Sequence, residues 1–409
     1  MRILLAPHGT RGDVQPLLAL ALALRARGHE AAFVAPANFV AWIRGHGFPC
    51  QSDGVDIEAV LRSPGADLQS FRWQMRHLTT VLVPQLFESV ARAAGDADLI
   101  VGSGVQIAAA SVAERRGVPC IGVAFCPSVV PGRAAPPPMV RRQTLPRWVN
   151  SLLWRWGTPI ADVVLRAPIN AGRAQLGLAP IDRPTQQLAG DGIIVAADSD
   201  LAPLGADAPA NVYATDAWVF DEPADLDPRL EAFLRQGSPP VYVGFGSMVA
   251  KNARDLVSCA VGAAGLVGCR LVVAGGWAGL DASVTASDMV LAIDSAPHGA
   301  IFPRVAAAIH HGGAGTTTAA ARAGIPQVVV PHILDQYFWA HRILTLGLGP
   351  RSLPVERVTT GRLANRMAAA LNEWRFRETA RRIGARVAAR DGVASAVHLL
   401  ERLGVRCRA

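Results

Sequence analysis

The 409-residue chain has almost no lysine: Lys251 is the only one, so nearly all of its 40 basic side chains are arginine. Arginine suits phosphate recognition, although the same bias also follows from genomic base composition. Against 32 acidic residues the net charge is +8. Charge of either sign is scarce, 18% of residues against 51% hydrophobic, which excludes a disordered chain. At roughly 150 residues per domain the length predicts two or three domains, each able to bury a core. Six cysteines (Cys50, Cys120, Cys126, Cys259, Cys269, Cys407) form no CxxC pair. Their spacing argues against a zinc site or redox motif and fits reduced thiols in a cytoplasm. Long apolar runs are missing too. The amino-terminal MRILLAPHG is interrupted by His8, too early for a signal-peptide core, so the chain is expected to start folded and stay cytoplasmic. The uncharged stretch 256–269 is shorter than the roughly 18–20 residues of a membrane span.

What is present is alternation. Short β-branched runs alternate with Ala/Leu/Arg segments along the whole chain, the pattern of a parallel sheet with crossover helices. Strands are expected at 2–6, 31–35, 99–102, 120–124 and 193–196, then at 241–245, 270–274, 289–293, 307–310 and 327–330. Residues 202–240, rich in Pro, Asp and Gly, separate the two sets, with one helix near 227–235. The reading is an α/β protein of two doubly wound domains, 1–215 and 239–375, with a linker at 216–238. Residues 376–409 are carboxyl-terminal helices that can pack back on the first domain. The tail from 359 to 403 reads as two or three helices, broken near Gly384 and Gly392. Within it, Arg375, Arg377, Arg381, Arg382, Arg386 and Arg390 form a solvated helix face or a contact for an anionic surface. In doubly wound sheets ligands bind beyond the carboxyl ends of the strands, so two facing domains would hold a substrate between them.

Two segments break this regularity. Residues 127–139, PSVVPGRAAPPPM, must be a long loop. Residues 145–165 carry Trp148, Trp154 and Trp156 at near-helical spacing, as a core-facing helix or as an apolar wall for a large ligand.

The strongest local signal is 307–324, AAIHHGGAGTTTAAARAG, a strand running into a glycine turn and a helix start. Gly312, Gly313 and Gly315 let the backbone approach a ligand, and the free N–H groups and positive dipole of the helix start favour phosphate. Thr316 and Thr317 add hydroxyl donors, and His311 can donate a ring N–H. Adjacent strand histidines point to opposite faces with no third ligand nearby, so no metal is expected there. At the amino terminus, Gly9-Thr10-Arg11-Gly12 lacks a complete GxGxxG, which disfavours a nicotinamide cofactor. The DxD pairs at Asp96/Asp98, Asp198/Asp200 and Asp225/Asp227 imitate a metal motif but sit by strand or linker ends.

The HHGGAGTT turn, preceded by Phe302-Pro303-Arg304-Val305 and followed by Gly324-Ile325-Pro326, Pro331 and Asp335-Gln336, resembles the donor signature of nucleotide-sugar-dependent family 1 glycosyltransferases. GTRGDVQPLLALALALRARGHE and the mid-chain GFGS match as well, so the resemblance spans essentially the whole chain. GTRGDVQP and DQYFWAHRILTLGLGP resemble the branch of sterol glucosyltransferases and antibiotic-aglycone glycosyltransferases. The resemblance implies a GT-B fold and transfer of a sugar from a UDP- or dTDP-linked donor to a hydroxyl of a lipophilic acceptor, inverting and without metal or cofactor, most simply in natural-product tailoring. It implies no nucleic-acid partner and at most peripheral membrane contact.

It also implies roles. His311, Gly313, Gly315, Thr316 and Ser247 match positions that hold the diphosphate, and Asp335 and Gln336 match the pair that reads the sugar hydroxyls. Ser295-Ala296-Pro297-His298 matches a nucleobase and ribose contact, where the plant branch has a stacking tryptophan in place of Ser295; uridine and thymidine donors both stay open. Trp277 is a separate candidate for that neighbourhood, or a packed aromatic. Asp13 takes the place of the plant branch's catalytic histidine as general base, or only caps the helix 14–27. His8 is the substitute base. The aspartate partner of the plant enzymes would fall near Ser103 and is missing. Thr10 and Arg11 line the same turn, facing the donor. Met139, Trp148 and Trp154 are expected to wall the acceptor. A nucleotide-sugar epimerase, or a basic nucleic-acid or membrane-surface binder, are the alternative readings.

Overall fold

The computed structural model describes residues 1–63, 66, 70–221, 226–246, 253–275 and 288–406. Strands β1 (Arg2–His8), β2 (Glu30–Ala35), β3 (Cys50–Ser52), β4 (Leu99–Gly104), β5 (Cys120–Ala124), β6 (Gly192–Val195) and β7 (Val212–Ala214) form one parallel sheet, in the order β3-β2-β1-β4-β5-β6-β7. A second parallel sheet comprises β8 (Val241–Gly244), β9 (Leu271–Ala274), β10 (Val290–Ile293), β11 (Ala307–His310) and β12 (Gln327–Val329), in the order β10-β9-β8-β11-β12. Helices cover both faces of the first sheet. Leu17, Leu20 and Leu24 of helix Arg11–Ala26 are buried on one side, and Leu86, Phe87 and Val90 of helix Val83–Ala94 on the other. That double burial is why the strands read as continuous apolar runs instead of alternating ones.

In each sheet the strand order reverses at one place. The chain leaves β1 towards β2 and β3, and from β4 it runs the other way. The same happens between β8 and β11. A crevice opens at the carboxyl ends of strands at such a reversal. There His8 is in register with Gly104 on β4, and His310 with Gly244 on β8.

All ten expected strands are present, and two three-residue edge strands, β3 and β7, join them; β7 falls inside the Pro/Asp/Gly-rich stretch 202–240. The first helix begins at Arg11, earlier than the expected 14, because Thr10 serves as its N-cap. The tryptophan-bearing helix runs Arg147–Gln175, beyond the expected 165. The tail consists of helices Thr360–Asn372, Trp374–Ala388 and Gly392–Arg406, so the first break is at Glu373 and not at Gly384. Gly384 lies inside a helix for a packing reason. A Cβ there would strike the Ala321 carbonyl and come 3.0 Å from Gly324 Cα, so glycine permits the close approach of two helices.

The last helix lies on helix Arg11–Ala26. Ala396, Val397, Leu399 and Leu400 join the core of the first sheet, and Glu401 meets Arg27 at 3.1 Å and His29 at 3.1 Å. The chain therefore crosses between the lobes twice, and the crossings touch. Arg390 bonds to Asp198 at 3.2 Å, Asp200 at 2.7 Å and Asp216 at 3.4 Å, while a Cβ on Gly392 would lie 2.5 Å from the Ala217 carbonyl oxygen. Arg386 pairs with Asp200 at 3.1 Å. Two arginines of the basic run thus serve an intramolecular clamp. Asp216 itself has φ +60, a left-handed conformation, and its Oδ1 accepts from Ser199 N at 2.9 Å. No helix among the described residues is long and apolar enough to cross a membrane.

Candidate active site

The first crevice is built on β1 and the turn after it. Thr10 caps helix Arg11–Ala26, and Asp13, in the helix's first turn, folds back so that its Oδ2 accepts the Thr10 N–H at 2.8 Å. Its carboxylate lies against two glycines. A Cβ on Gly104, at φ +69, would sit 3.0 Å from Asp13 Oδ1, and one on Gly9 would collide with Oδ2. Burial raises the Asp13 pKa to about 6, against the lowering effects of the Thr10 N–H and of nearby His8. Asp13 thus closes the helix's first turn and titrates near neutrality. Ser103, at the place of the missing dyad partner, donates to the backbone carbonyl of Asp13 at 2.9 Å and leaves its carboxylate alone.

His8 has a different place. It is 2% exposed, and its Nδ1 lies 2.7 Å from Asp53 Oδ2, while Asp53 Oδ1 accepts from Val55 N at 2.8 Å. The substitute base is therefore an internal pair under the turn, and Asp13 is the carboxylate that reaches the crevice. Asp53 was not among the expected residues because it follows β3, whose three residues carry no strand signal. Thr10 is partly exposed on the same rim, and Arg11, exposed, lies 5.0 Å over the Trp42 ring.

The second crevice is built on β11. His310 is buried; its Nε2 lies 2.9 Å from Gln327 Oε1, and its Nδ1 accepts from Gly312 N at 3.1 Å. These bonds assign it one neutral tautomer with its proton on Nε2. Gly312, at φ +91, has no room for a Cβ, which would lie 2.7 Å from Val329. Gly313 is the N-cap of helix Ala314–Arg322, so the N–H groups of Ala314, Gly315 and Thr316 have no partner within the helix. His311 lies against Gly313 on one side and Gly246, at φ +60, on the other, with its Nδ1 buried and without a partner among the described residues. Burial first, then the neighbouring His310, His332 and His298, lower its pKa to about 3, so it is neutral at physiological pH. Thr317 departs from expectation. It is fully buried, with its hydroxyl enclosed, so Thr316 is the threonine at the surface of this turn.

Asp335 is the N-cap of helix Gln336–Leu346 and follows Leu334, which holds a left-handed φ of +48. Such backbone strain in a branched residue is tolerated where it aims a neighbour. Burial, then the charge of Asp13, raise the Asp335 pKa to about 6, so Asp335 feels the charge of the carboxylate on the other lobe. Gln336 is buried, and its Oε1 accepts from His332 N at 2.8 Å and Ile333 N at 3.1 Å. Its carbonyl holds the loop that presents Asp335. Ala296 is half-buried between β10 and the following turn; His298 stacks on Phe302 at 4.4 Å, and its pKa falls to about 4 through burial, then through the charges of His310 and Arg11. Ser247 and Trp277 lie outside the described residues.

The expected acceptor wall divides. Trp154 turns inward and donates to the Ala135 carbonyl at 3.0 Å, and Asn150 donates to the Arg133 carbonyl at 3.0 Å, so the helix pins the loop 127–139. Trp148 and Met139 face solvent. The DxD acids are engaged elsewhere: Asp96 pairs with Arg2, Asp98 accepts from Arg2 N at 2.8 Å, Asp198 and Asp200 hold Arg390, and Asp227 caps helix Pro228–Arg235. Asp225 lies outside the described residues. A cavity of about 680 Å³ opens at the amino-terminal end of β5, between Glu114, Arg183, Gln187 and Asp191. It is remote from the strand ends that carry both glycine turns. Its Glu114 is held by Arg173 at 2.7 Å and Gln187 at 2.8 Å, and its Asp191 by Cys120 N at 2.8 Å.

Comparison with known proteins agrees with this geometry. Residues 3–134 match the family model of the glycosyltransferase family 28 N-terminal domain, and residues 272–403 that of the erythromycin biosynthesis protein CIII-like C-terminal domain. Glycosyltransferase GtfE of Amycolatopsis orientalis is 37% identical over 356 residues, 85% of each chain. Sterol 3-beta-glucosyltransferase UGT80B1 of Arabidopsis thaliana is 30% identical over 398 residues, 89% of this chain and 62% of that protein. Among solved structures, glycosyltransferase VinC in complex with dTDP superposes with a TM-score of 0.71 at 22% identity, covering 99% of this chain and 100% of its own. The fold is GT-B, two parallel-sheet α/β domains.

Proposed function

The chain belongs to the glycosyltransferase family that includes the antibiotic and sterol glycosyltransferases, and from that premise we propose that it transfers a sugar from a nucleoside diphosphate to a hydroxyl of a lipophilic small molecule, with inversion and without a metal ion. The observation that carries the reading is the glycine turn after β11, where the bare start of helix Ala314–Arg322 and the buried His311 Nδ1 leave hydrogen-bonding groups for an anion, with the carboxylate of Asp13 in the turn after β1 of the other lobe.

In this reading the sugar's diphosphate lies on the N–H groups of Ala314, Gly315 and Thr316, and the neutral His311 donates its ring N–H to it. Asp335 accepts from a sugar hydroxyl. The acceptor oxygen bonds to the anomeric carbon from the face opposite the diphosphate, the bond to the diphosphate oxygen breaks, and the acceptor proton passes to Asp13. A carboxylate with a pKa near 6 is mostly ionised at pH 7 yet more basic than an ordinary aspartate, which suits a general base. Charge developing on the leaving diphosphate falls on N–H donors and a helix start, electrostatic stabilisation that needs no metal. The occupation of Asp96, Asp98, Asp198, Asp200 and Asp227 by caps and arginines supports the same view. The acceptor lies along the pinned loop 127–139, in keeping with the antibiotic and sterol relatives.

The test is thermal stability with saturating UDP, dTDP and NAD, since a ligand at 100 times its dissociation constant adds about 2.7 kcal/mol. VinC's bound dTDP makes dTDP the first choice. Stabilisation by UDP or dTDP that weakens in His311→Ala supports the site; a response to NAD alone overturns it. The anomeric configuration of the product, read by NMR coupling, tests inversion.

A further inference from the structure

Among the described residues outside the cleft, the largest concentration of exposed large apolar side chains lies on one element. Helix Arg147–Gln175 presents Trp148 (70% exposed), Leu152 (44%), Trp156 (64%), Ile160 (64%) and Val163 (68%) to solvent. At 100° per residue these five fall within a sector of about 120°, and at 1.5 Å per residue the stripe is about 22 Å long. The helix cannot roll to hide it. Its opposite face is fixed by Asn150 on the Arg133 carbonyl, Trp154 on the Ala135 carbonyl, and Gly172, where a Cβ would come within 2.5 Å of the Phe87 ring.

The exposed charge on the stripe's own helix has one sign, with the exposed Asp182 beside it only at Arg166, whose Nε donates to the Asp182 carbonyl at 3.2 Å. Arg155 and Arg166 lie along its edge, Arg147 at its start, and Arg142 is exposed just before it. No exposed residue of this helix is acidic. Its only acid, Asp162, is buried and accepts from Thr185 N and Oγ1 at 2.9 and 2.7 Å. Two tryptophans and branched aliphatics bordered by arginines are the composition of a helix that lies in the headgroup region of a bilayer. A second copy is a poor occupant, because pairing two such faces brings arginines against arginines.

We propose that this face docks the protein on an anionic lipid bilayer, with helix Arg147–Gln175 parallel to the membrane plane. The position of the stripe gives the contact a use. The segment before the helix reaches the other lobe, where Arg141 bonds to Glu356 at 2.8 Å and lies 5.4 Å over the Tyr337 ring, two residues from Asp335. The stripe therefore follows within seven residues of a contact between the lobes, and docking sets that side of the molecule at the lipid surface, where apolar molecules concentrate. The surface argument does not depend on the sugar-transfer reading, and vesicle binding tests it separately from any turnover.

The experiment is flotation of the full-length protein with vesicles of phosphatidylcholine and phosphatidylglycerol in equal parts, and with phosphatidylcholine alone, at 0.1 and 0.5 M salt. The expected result is binding to the anionic vesicles that weakens at least tenfold at high salt. In the combined variant Trp156→Ser, Ile160→Ser, Val163→Ser the partition coefficient falls at least tenfold with an unchanged melting temperature. In Arg147→Gln, Arg155→Gln, Arg166→Gln the preference for anionic lipid disappears. As a check that needs only one conservative change, brominated acyl chains quench a tryptophan component of the wild type that is absent in Trp156→Phe. Wild-type protein that stays with neither vesicle, serine variants that bind as well as wild type, or a dimer in sedimentation that the serine variants dissociate, each overturns the proposal.

Discussion

At the end of β1 the buried histidine is paired with a carboxylate, His8 with Asp53; at the end of β11 it is paired with an amide, His310 with Gln327. Both crevices arise from the same reversal of strand order, and both turns need left-handed glycines, but their chemistry has opposite sign. The first gathers the carboxylates of Asp13 and Asp53. The second contains neutral histidines and free N–H groups, and the partner of its buttressing histidine carries no charge. A carboxylate at Gln327 would repel an anion placed at the adjoining helix start. The comparison teaches that topology locates a crevice, while the partner of one buried imidazole indicates whether protons or anions belong there.

Removing the proton acceptor breaks the contrast most sharply. Asp13→Asn lowers kcat by about 10²–10⁴-fold, with nucleotide affinity measured by calorimetry unchanged; near-normal turnover would show that the base is elsewhere. On the other side, His311→Ala weakens UDP or dTDP binding by about 10–100-fold, the worth of a hydrogen bond to a charged group, and moves KM for the donor more than that for the acceptor. Asp53→Ala, which strips the buried His8 of its partner, costs about 1–3 kcal/mol in urea unfolding; a midpoint equal to that of wild type would mean that the pair contributes nothing.

The smallest effect is a pH dependence of unusual sign. Asp13 and Asp335 have folded pKa values of about 6, raised above the ordinary 3.8, so between pH 4 and 6 the folded state holds more protons than the unfolded one. These two groups therefore lose stabilising power as pH rises through that window. Asp335→Asn is expected to raise the melting temperature at pH 7.5, with the gain vanishing towards pH 4. A gain that is constant across this range would place the cause outside titration.

How much of this was legible beforehand follows from the length scale of each signal. Strands of four or more apolar residues stand out from the helices around them; Cys50–Ser52 and Val212–Ala214 are too short to do so, and with β3 went Asp53, the residue that explains His8. The glycine turn after β11 was readable because glycines, threonines and histidines are adjacent in sequence. Which threonine lies at its surface was not, since the burial of Thr317 depends on elements distant in the chain. Gly384 was taken for a helix break because glycine is a poor helix former, yet here it is what two crossing helices require. The tryptophans of the long helix could be placed on a helix but not on a face. Trp154 points to the loop and Trp148 to solvent, a difference set by packing and not by spacing.

Arg390 and Gly392 hold together the two places where the chain passes from one lobe to the other. Two separate tethers would let the lobes slide as well as turn; two tethers drawn through one point act as a pivot pin. Any turning of one lobe against the other is then confined to an axis through that point.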